Sequence, residues 1–431
     1  MKISSVHIEN FRAIKGMDLP LDPRLTVLHG NNAHGKTSVL AAIAVGLGVM
    51  PTLLAGRGGI NFKDSDIRGD DQCATVRLTT TTDLTWERTS HGSKSWFERL
   101  GVGRPSDTSQ LKVWLLNVQA GIKDGATPAL PVFAFYDTDR AVFTVPMRRR
   151  DFKDEFSRLD TYQDALIAKA SFKSLFEWFH AKENEELRLK NEQRDFNIRL
   201  PELNVVRRAI EGMMPDVHDP HIETNPLQFV VRRDGPDGHP EKLALGQLSG
   251  GYRIVLALAA DLARRMAQAN PHLADPLDSE AIVLIDEIEL HLHPEWQQRI
   301  LDDLMRTFPN TQFIVSTHSP QVLTTVLPEN IIHLRATGNG AVAERASGPT
   351  YGARAGDVLE GEMGVQERPR NEFSEKLRHY QNLIAAGDGE GQEALQLRGE
   401  LESLSPADFD LGAADVEIAR RRLMRDLAKR A

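Results

Sequence analysis

Cysteine and long apolar runs are both scarce in this sequence. Cys73 is the only cysteine in 431 residues, which excludes an internal disulfide framework and a cysteine-based zinc site. No run approaches the ~20 consecutive apolar residues of a membrane span. The start, Met-Lys-Ile-Ser-Ser-Val, has no secretory apolar region. We therefore expect a cytoplasmic protein that does not enter a membrane.

An excess of basic residues is also absent. The formal net charge is −9, so a contact with nucleic acid would have to come from a local basic patch. The chain is 41% apolar and 26% charged, which predicts an ordinary folded core. Its length indicates roughly two to four domains.

A glycine-rich stretch follows the apolar residues Leu25 to Leu28. Its order is Gly30, four residues, Gly35, Lys36 and Thr37, and an apolar helical pattern follows to Leu47. A loop of this kind points backbone N–H groups at a phosphate chain, at the positive end of the helix. Lys36 can reach the terminal phosphates and Thr37 can ligate Mg²⁺. The predicted phosphate-binding residues are Gly30, Asn31, Asn32, Ala33, His34, Gly35, Lys36, Thr37 and Ser38. An ordinary β–α turn would not require Lys36 and Thr37.

Two carboxylates end an apolar stretch, Ala281 to Ile285. A buried strand of this kind would place Asp286 and Glu287 at the carboxyl edge of a sheet, where open α/β sheets bind ligands. Asp286 suits the Mg²⁺ shell. Glu287 suits the polarisation of an attacking water. The alternative is a strand end capped by solvated acids.

A second helix start carries the sequence Leu-Ser-Gly-Gly-Tyr-Arg. Ser249, Gly250 and Gly251 precede an apolar helical pattern and form a second candidate anion site. A plain N-cap by Ser249 is the alternative. Because one nucleotide has a single terminal phosphate, a simple arrangement is that this second site serves the nucleotide of another subunit. His318 follows a third buried strand and is a candidate phosphate contact, although a lone histidine is more often structural.

The spacing also outlines the domains. We predict a first lobe at 1–150, a helical insertion at 151–220, a second lobe at 221–345 and a helical region at 346–431. Two helices are expected between Asp154 and Met214, with the charged run from Lys182 to Lys190 as a solvated face. One helix is expected from Pro294, with Trp296, Ile300, Leu304 and Phe308 on one face.

Taken together, these motifs resemble the ATP-binding-cassette ATPases. They occur in the order of the branch that contains structural-maintenance-of-chromosomes proteins, RecF and the overcoming-lysogenisation-defect nucleases. The resemblance implies an α/β head with a mixed sheet, an antiparallel β subdomain, a helical insertion and a helical tail. It implies ATP and Mg²⁺ as cofactors, Thr37 and Asp286 as metal ligands, and Glu287 and His318 as catalytic residues. Asn10-Phe11-Arg12 is similar to a family motif that places its arginine, here Arg12, at the phosphates. Two subunits would pair head to tail, with Ser249 and Gly251 acting in trans.

Within that branch the chain resembles ATPases of bacterial phage-defence systems such as Septu and certain retrons. The residues that carry this resemblance are Pro131 to Arg140, the helix at 172–179 and the Tyr351-Gly pair. It implies a separate HNH nuclease as partner. The alternatives are a RecF-like clamp that binds DNA without a nuclease, and a scaffold that binds nucleotide without hydrolysing it.

The chain departs from the family pattern at one point. The family usually has a glutamine between its lobes, but the stretch from Phe135 to Arg140 has none, and Gln119 is the nearest upstream candidate. Weaker candidates remain. His291 with His293 is a candidate metal pair, and Asp137 with Asp139 is a candidate nuclease motif. Four arginine clusters, at 148–150, 207–208, 232–233 and 420–422, would be either solvated surface or phosphate-backbone contacts.

Overall fold

A computed structural model describes most of the chain. The described residues are 1–56, 59–92, 105–138, 155–167, 172–235, 237–338, 340–346, 348–366 and 368–428. They form two compact units, Met1–Met363 and Gly364–Ala431. The predicted lobe boundary at 150 and the predicted first arginine cluster lie outside the described residues.

The first unit contains both strands and helices, with several runs of consecutive strands. In chain order the strands are β1 (Ile3–Phe11), β2 (Ile14–Pro20), β3 (Leu25–His29), β4 (Cys73–Thr80), β5 (Thr85–His91), β6 (Val132–Tyr136), β7 (Val217–Thr224), β8 (Leu227–Asp234), β9 (Pro240–Ala244), β10 (Ala281–Ile285), β11 (Thr311–Thr317), β12 (Ile331–Thr337) and β13 (Gly340–Arg345). The helices of this unit are α1 (Lys36–Leu47), α2 (Val49–Ala55), α3 (Ser109–Lys123), α4 (Phe172–Gln193), α5 (Pro201–Met213), α6 (Gly250–Ala269), α7 (Pro294–Gln297), α8 (Ile300–Thr307), α9 (Pro320–Leu323) and α10 (Ala355–Gly361). Short 3-10 helices lie at Asp64–Asp66, Arg158–Tyr162, Leu245–Gln247, Pro276–Asp278 and Pro328–Asn330.

A six-stranded sheet forms the centre of this unit, in the order β13-β12-β3-β11-β10-β6. Its strands are parallel except for β13, which pairs antiparallel with β12. Every residue of β3, β6, β10 and β11 is buried, because elements cover both faces of the sheet. The carboxyl ends of β3, β10 and β11 therefore meet at one edge.

Alternating residues of the central strands enter two separate cores. Ala281, Val283 and Ile285 join the core that contains α6, and Ile282 and Leu284 join the core that contains α1. This alternation follows from the two-residue period of a strand. The helix after the glycine loop and the helix after Ser249 thus pack on opposite faces of one sheet.

Two antiparallel sheets complete the first unit. One has the order β2-β1-β4-β5, and the other has the order β7-β8-β9. The resemblance implied an antiparallel β subdomain, and β4 and β5 pair in this way over residues 73 to 91. The predicted fold class is confirmed: a mixed sheet carries the glycine loop, and the chain also contains antiparallel sheets, inserted helices and a helical C-terminal region.

The predicted helix pair is also present, as α4 and α5. The charged run on α4 was predicted to be solvated, and this is wrong for Glu186, which is only 2% exposed. Its carboxylate accepts hydrogen bonds from Arg207 Nη1 and the Leu200 amide, both at 2.9 Å. Burial alone would raise the pKa of Glu186, but Arg207, Lys190 and the Leu200 amide outweigh it and lower that pKa to about 2. The buried carboxylate therefore links α4 to the start of α5.

The helix predicted from Pro294 is interrupted. It ends as α7 at Gln297, and α8 begins at Ile300, because Arg299 has a φ of −123° that leaves the helical region. The Arg299 guanidinium lies 4.9 Å from the centre of the Trp296 ring. Ile300, Leu304 and Phe308 are buried as predicted.

One expectation from composition needs correction. Within the described residues, the stretch Lys36–Ala55 is long and apolar enough to cross a membrane by those criteria alone. It comprises α1 and α2, and 72% of it is buried inside the fold. Its apolar side chains pack in the core beneath β1, β4 and the central sheet. This burial is the arrangement of a core helix.

The second unit contains three longer helices, α11 (Glu372–Ala386), α12 (Gln392–Leu404) and α13 (Phe409–Ala428). Its core includes Leu377, Tyr380, Ile384, Leu401 and Leu411. Asn371 caps α11 by accepting a hydrogen bond from the Ser374 amide at 2.9 Å. The compact unit begins at Gly364, whereas the predicted helical region begins at 346.

Candidate nucleotide-phosphate site

The loop between β3 and α1 closes around the Lys36 ammonium. Lys36 Nζ donates to the Gly30 carbonyl at 2.7 Å and to the Asn31 carbonyl at 3.1 Å. Gly30 has a φ of 146°, and a Cβ there would lie 2.2 Å from the Leu334 carbonyl oxygen, so this position requires glycine. Burial lowers the pKa of Lys36, although Asp286, Glu287 and Glu289 oppose that effect. The loop therefore concentrates a positive charge at the start of α1.

The two carboxylates at the end of β10 lie beside this loop. Asp286 accepts a hydrogen bond from Thr37 Oγ1 at 2.7 Å and a second from Ser316 Oγ. The Glu287 amide donates to the same Ser316 hydroxyl at 2.8 Å. Glu287 has a φ of 46°, an uncommon value for a residue other than glycine. Ser316 thus positions both acids at the sheet edge.

The residues predicted to hold Mg²⁺ fit that ion. The Thr37 hydroxyl and an Asp286 carboxylate oxygen are 2.7 Å apart, and both residues line the same pocket. Mg²⁺ prefers such hard oxygen ligands, usually one or two from protein together with water and phosphate oxygens. The donor set is therefore suited to a magnesium–triphosphate complex.

A pocket of about 450 Å³ lies above these groups. Its lining contains Ala13, which was not predicted, and most of the predicted site residues: Arg12, Asn32, Ala33, Gly35, Lys36, Thr37, Ser38, Asp286, Glu287 and His318. Gly30 and Asn31 contribute carbonyls to Lys36 behind the lining. His34 Nδ1 lies 2.9 Å from the Leu334 carbonyl and is turned towards β12.

His318 is held by a residue that was not predicted to contribute to the pocket. Glu289 accepts hydrogen bonds from the His318 amide at 2.5 Å and from Thr317 Oγ1 at 2.8 Å. Burial lowers the pKa of His318, and the Lys36 charge lowers it further, so the imidazole is neutral at pH 7. Glu289 therefore fixes the loop from which His318 enters the pocket.

Arg12 reaches the pocket from the β1–β2 turn. Its φ is 49°, and its backbone amide and Nε both donate to Asp66, at 2.8 Å each. Asp66 is 2% exposed and was also not predicted. This buried carboxylate orients Arg12 without removing it from the pocket lining.

The helix start at Ser249 lies apart from this pocket. Ser249 is exposed and caps α6 weakly, since the Tyr252 amide is 3.5 Å from its hydroxyl. A Cβ on Gly251 would meet the His291 carbonyl oxygen at 3.0 Å, so this helix start packs against the segment after Glu287. Ser249, Gly250 and Gly251 do not line the phosphate pocket as the structure describes it.

Comparison with known proteins decides the family. The family described as AAA domain, putative AbiEii toxin, Type IV TA system matches residues 25–324. The chain belongs to this AAA-domain family. The match runs from β3, before the glycine loop, to just beyond α9, and so includes both carboxylates, Ser249 and His318.

Comparisons with individual proteins add to this family assignment. The chain is 28% identical to the retron Ec83 probable ATPase of Escherichia coli, over 98% of this chain and 87% of that protein. It is 45% identical to a Septu protein PtuA of Bacillus mycoides, over 28% of this chain and 16% of that protein. Among solved structures, an SmcHead bound to the C-winged helix domain of ScpA covers 80% of this chain and 98% of its own, at 16% identity and a TM-score of 0.45. The retron and Septu proteins confirm the predicted resemblance to ATPases of retron and Septu defence systems.

In this AAA-domain protein, a buried polar network connects the pocket residue Asp286 with α6. Tyr136, at the end of β6, accepts the Asp286 amide at 2.8 Å through its carbonyl and donates its hydroxyl to Asp261 of α6 at 3.0 Å. Asp261 also binds Arg264 and Arg265, at 2.7 and 2.8 Å. Burial alone would raise the pKa of Asp261, but the two arginines outweigh it and hold that pKa well below its ordinary value. The sequence signal was an acid inside an apolar helix with arginines three and four residues later.

The weaker candidates have varied outcomes. His293 accepts the Glu295 amide at 3.4 Å as the N-cap of α7, and no metal cluster containing it or His291 occurs in the described residues. Gln119 donates to the Leu53 carbonyl at 2.7 Å and does not line the pocket. Asp139 lies outside the described residues, and Asp137 accepts from the Thr138 amide at 2.6 Å.

The described arginine clusters mostly pair with acids. The buried Arg207 binds Glu186, which corrects its interpretation as solvated surface. The other pairs, at 2.7 to 3.9 Å, are Arg208–Asp275, Arg232–Asp219, Arg233–Glu241, Arg420–Glu417, Arg421–Glu417 and Arg422–Glu390. A phosphate-backbone contact by any of these arginines would compete with its carboxylate.

Proposed function

We propose that this chain binds ATP with Mg²⁺ and hydrolyses it at a site that a second copy of the chain completes. One observation carries the proposal. Lys36, Thr37, Asp286, Glu287 and His318 share one pocket, whereas the helix start at Ser249 is exposed elsewhere on the unit. An ATPase in which each chain supplies half of two sites accounts for both facts.

Each pocket residue has a role that follows from its position. Lys36 and the loop amides bind the β- and γ-phosphates. Thr37 and Asp286 would hold Mg²⁺, which neutralises phosphate charge. Glu287 accepts a proton as a water oxygen attacks the γ-phosphorus and the bond to the β-phosphate oxygen breaks, which yields ADP and phosphate. The neutral His318 ring can donate a hydrogen bond to the γ-phosphate.

The exposed helix start supplies the second half. α6 has 20 residues, and its first amides and positive dipole end form a ready anion site. In a head-to-tail pair, Ser249 and Gly251 of one chain would close over the γ-phosphate held by the other. Gly251 leaves that approach free of a side chain while it packs on His291.

Glu287→Gln tests the hydrolytic role. Turnover should fall at least about a hundredfold, because general-base catalysis contributes roughly that factor or more. Binding of ATP should persist, because Lys36 and Thr37 are unchanged. The exposed Glu329 provides a matched control, and Glu329→Gln should hydrolyse ATP at the wild-type rate. Wild-type turnover by Glu287→Gln would refute the role given to Glu287.

Mixing two inactive variants tests the shared site. Ser249→Arg and Lys36→Ala should each be inactive alone, since each spoils both composite sites of its own dimer. A mixed dimer restores one complete site, so the mixture should recover part of the wild-type rate. Glu287→Gln should also dimerise in the presence of ATP, which sedimentation would detect. Absence of both recovery and ATP-dependent dimers would overturn the two-subunit arrangement.

We further propose that the ATPase acts with a nuclease supplied by another chain, as its resemblance to Septu and retron ATPases implies. The helical unit 364–431 is suited to that contact. Val416, Leu423 and Leu427 recur on one face of α13 and are 53% to 69% exposed. Exposed apolar side chains at this spacing are typical of a docking face.

Co-expression with the product of the neighbouring open reading frame, which the proposal expects to be a nuclease, tests the partnership. The wild type and Lys36→Ala should both retain the nuclease on a tag, whereas the double variant Val416→Asp, Leu423→Asp should release it. If no variant or wild type retains a nuclease, the partnership is wrong. Steeply salt-dependent, ATP-dependent binding of duplex DNA by the isolated chain would then favour the clamp alternative.

A further inference from the structure

A second group of ligand-type side chains lies next to the glycine loop but outside its pocket. It consists of His29, the last residue of β3; His333, on β12; and Glu362, directly after α10. One ligand atom from each lies within 4.8 Å of the other two. This trio is the one such group of three among the residues that the structure describes.

The fold brings the three together by strand register. His29 and His333 are paired residues of the parallel strands β3 and β12, and their ring centres are 4.2 Å apart. Glu362 Oε1 lies 3.3 Å from His29 Nε2 and 3.7 Å from His333 Nδ1. In a tetrahedral zinc site with bonds of about 2.0–2.2 Å, neighbouring ligand atoms are about 3.3–3.5 Å apart. The His29–Glu362 spacing falls in that range, and the His333–Glu362 spacing is slightly longer.

The types of the three side chains also favour a cation. His29 is 1% exposed and Glu362 is 8% exposed, so the carboxylate lies in a poorly solvated place. Two imidazoles and one carboxylate form a ligand set that suits divalent transition metals better than Mg²⁺ or Ca²⁺.

We propose that His29, His333 and Glu362 bind one divalent transition-metal ion, with Zn²⁺ as the expected species and water as a further ligand. This site is distinct from the Thr37–Asp286 magnesium site. It would fasten the strand that enters the phosphate loop to the end of the first unit, since Glu362 precedes Gly364 by two residues. The rival explanation is a metal-free cluster in which His29 and Glu362 share a hydrogen bond.

Metal titration of the full-length protein tests the proposal. After treatment with a chelator and dialysis, the wild type should bind one equivalent of Zn²⁺ by calorimetry. With Co²⁺ in place of Zn²⁺, it should develop visible absorption bands of a site with nitrogen ligands. His333→Ala and Glu362→Gln should each lose at least about tenfold in affinity, since removing a ligand costs at least as much as removing its outer-shell partner.

Two controls make the outcome specific. His7 pairs with Asp18 at 2.7 Å on the surface, so His7→Ala removes a histidine–carboxylate pair and should bind metal like the wild type. Asp286→Asn should also retain Zn²⁺, which separates this site from the nucleotide site. Circular dichroism of each metal-free variant confirms folding, and His333→Gln replaces His333→Ala if the latter unfolds.

The decisive contrary result is simple. If the folded wild type binds no stoichiometric Zn²⁺, or if His333→Ala and Glu362→Gln bind it as tightly as the wild type, the metal-free cluster is the correct explanation. If Asp286→Asn alone abolishes binding, the ion belongs to the nucleotide site and the proposal is also wrong. None of these results depends on ATP hydrolysis, so they leave the proposed ATPase function untouched.

Discussion

The phosphate pocket and the helix start at Ser249 carry comparable chemistry but are built differently. In the pocket, Asp286, Glu287 and His318 are each held by a neighbouring side chain, either Ser316 or Glu289. At the other end, Ser249 is exposed and has one weak capping contact. In the pocket, side-chain contacts hold the candidate catalytic residues directly. The contacts that hold α6, in contrast, lie far from its first turn at Ser249.

That anchor is the network around Asp261, three helical turns after Ser249. It joins α6 to Tyr136, whose carbonyl in turn binds the Asp286 amide. The exposed tip is thereby fixed to the same strand edge as the pocket, while at the tip itself Ser249 makes only the weak capping contact with the Tyr252 amide. An exposed helix start held from a distance is consistent with the proposal that Ser249 and Gly251 contact the nucleotide of another chain.

Asp261→Asn should have the largest effect on stability. It leaves Arg264 and Arg265 buried without their negative partner, and the free energy of unfolding should fall by about 3–5 kcal/mol. Urea unfolding at pH 7 measures this. Asp275→Asn breaks the exposed pair with Arg208 and should cost at most about 1 kcal/mol. If the two variants lose the same free energy of unfolding, the Asp261 network does not anchor α6.

Ser316→Ala probes the pocket side in the same way. It removes the buried donor to Asp286 and the acceptor of the part-buried Glu287 amide, and should cost about 2–3 kcal/mol. ATP turnover should fall with it. Thr311 begins the same strand, and its buried hydroxyl has no hydrogen-bond partner within the described structure. Thr311→Val should therefore be nearly neutral, and a large loss there would contradict this account.

Glu183 makes the α6 side of the unit sensitive to pH. Burial raises its pKa from 4.5 to about 7, although the Ile222 amide donates to it at 2.9 Å. Between these values the folded chain holds a proton that the unfolded chain has released, so the free energy of unfolding falls as pH rises.

Glu183→Gln keeps an acceptor for Ile222 and removes this titration. The variant should be about 1–2 kcal/mol more stable than wild type at pH 8, after allowance for partial exposure, and similar to it at pH 4.5. Urea unfolding at both values measures the difference. A constant difference at all pH values would assign the effect to packing.

Ser249→Ala should have the smallest effect on folding. Its capping contact is 3.5 Å long, so the free energy of unfolding should change by less than about 0.5 kcal/mol. Turnover should nevertheless drop, because in the proposed dimer the hydroxyl would contact the phosphate held by the partner. The true cap Asn371 offers the contrast: Asn371→Ala should cost about 1 kcal/mol and leave turnover unchanged. Unchanged turnover in Ser249→Ala would support the plain N-cap.

Local pattern predicted the parts of the site that depend on neighbours in sequence. Gly30 was predicted from the loop spacing, and its φ of 146° against Leu334 shows why glycine is needed. The strand ending in Asp286 was predicted from its apolar run. The contributions of Ser316, Glu289 and Asp66 were missed. Each of these side chains contacts a residue that is distant in sequence, and helix or strand periodicity gives no information about such contacts. Glu186 was predicted to be solvated, because the sequence pattern of a charged helix face is the same whether or not an arginine from another helix covers it.

The sequence by itself determined the chemistry of the phosphate loop, the carboxylate pair and the order of the motifs, because backbone conformation and strand or helix period are set by adjacent residues. Only the tertiary structure decided which distant groups meet. The sheet order placed β3 between β11 and β12, which put Lys36 beside Asp286 and His29 beside His333. Packing of α6 on the opposite face left Ser249 exposed, because burial depends on the whole set of covering elements.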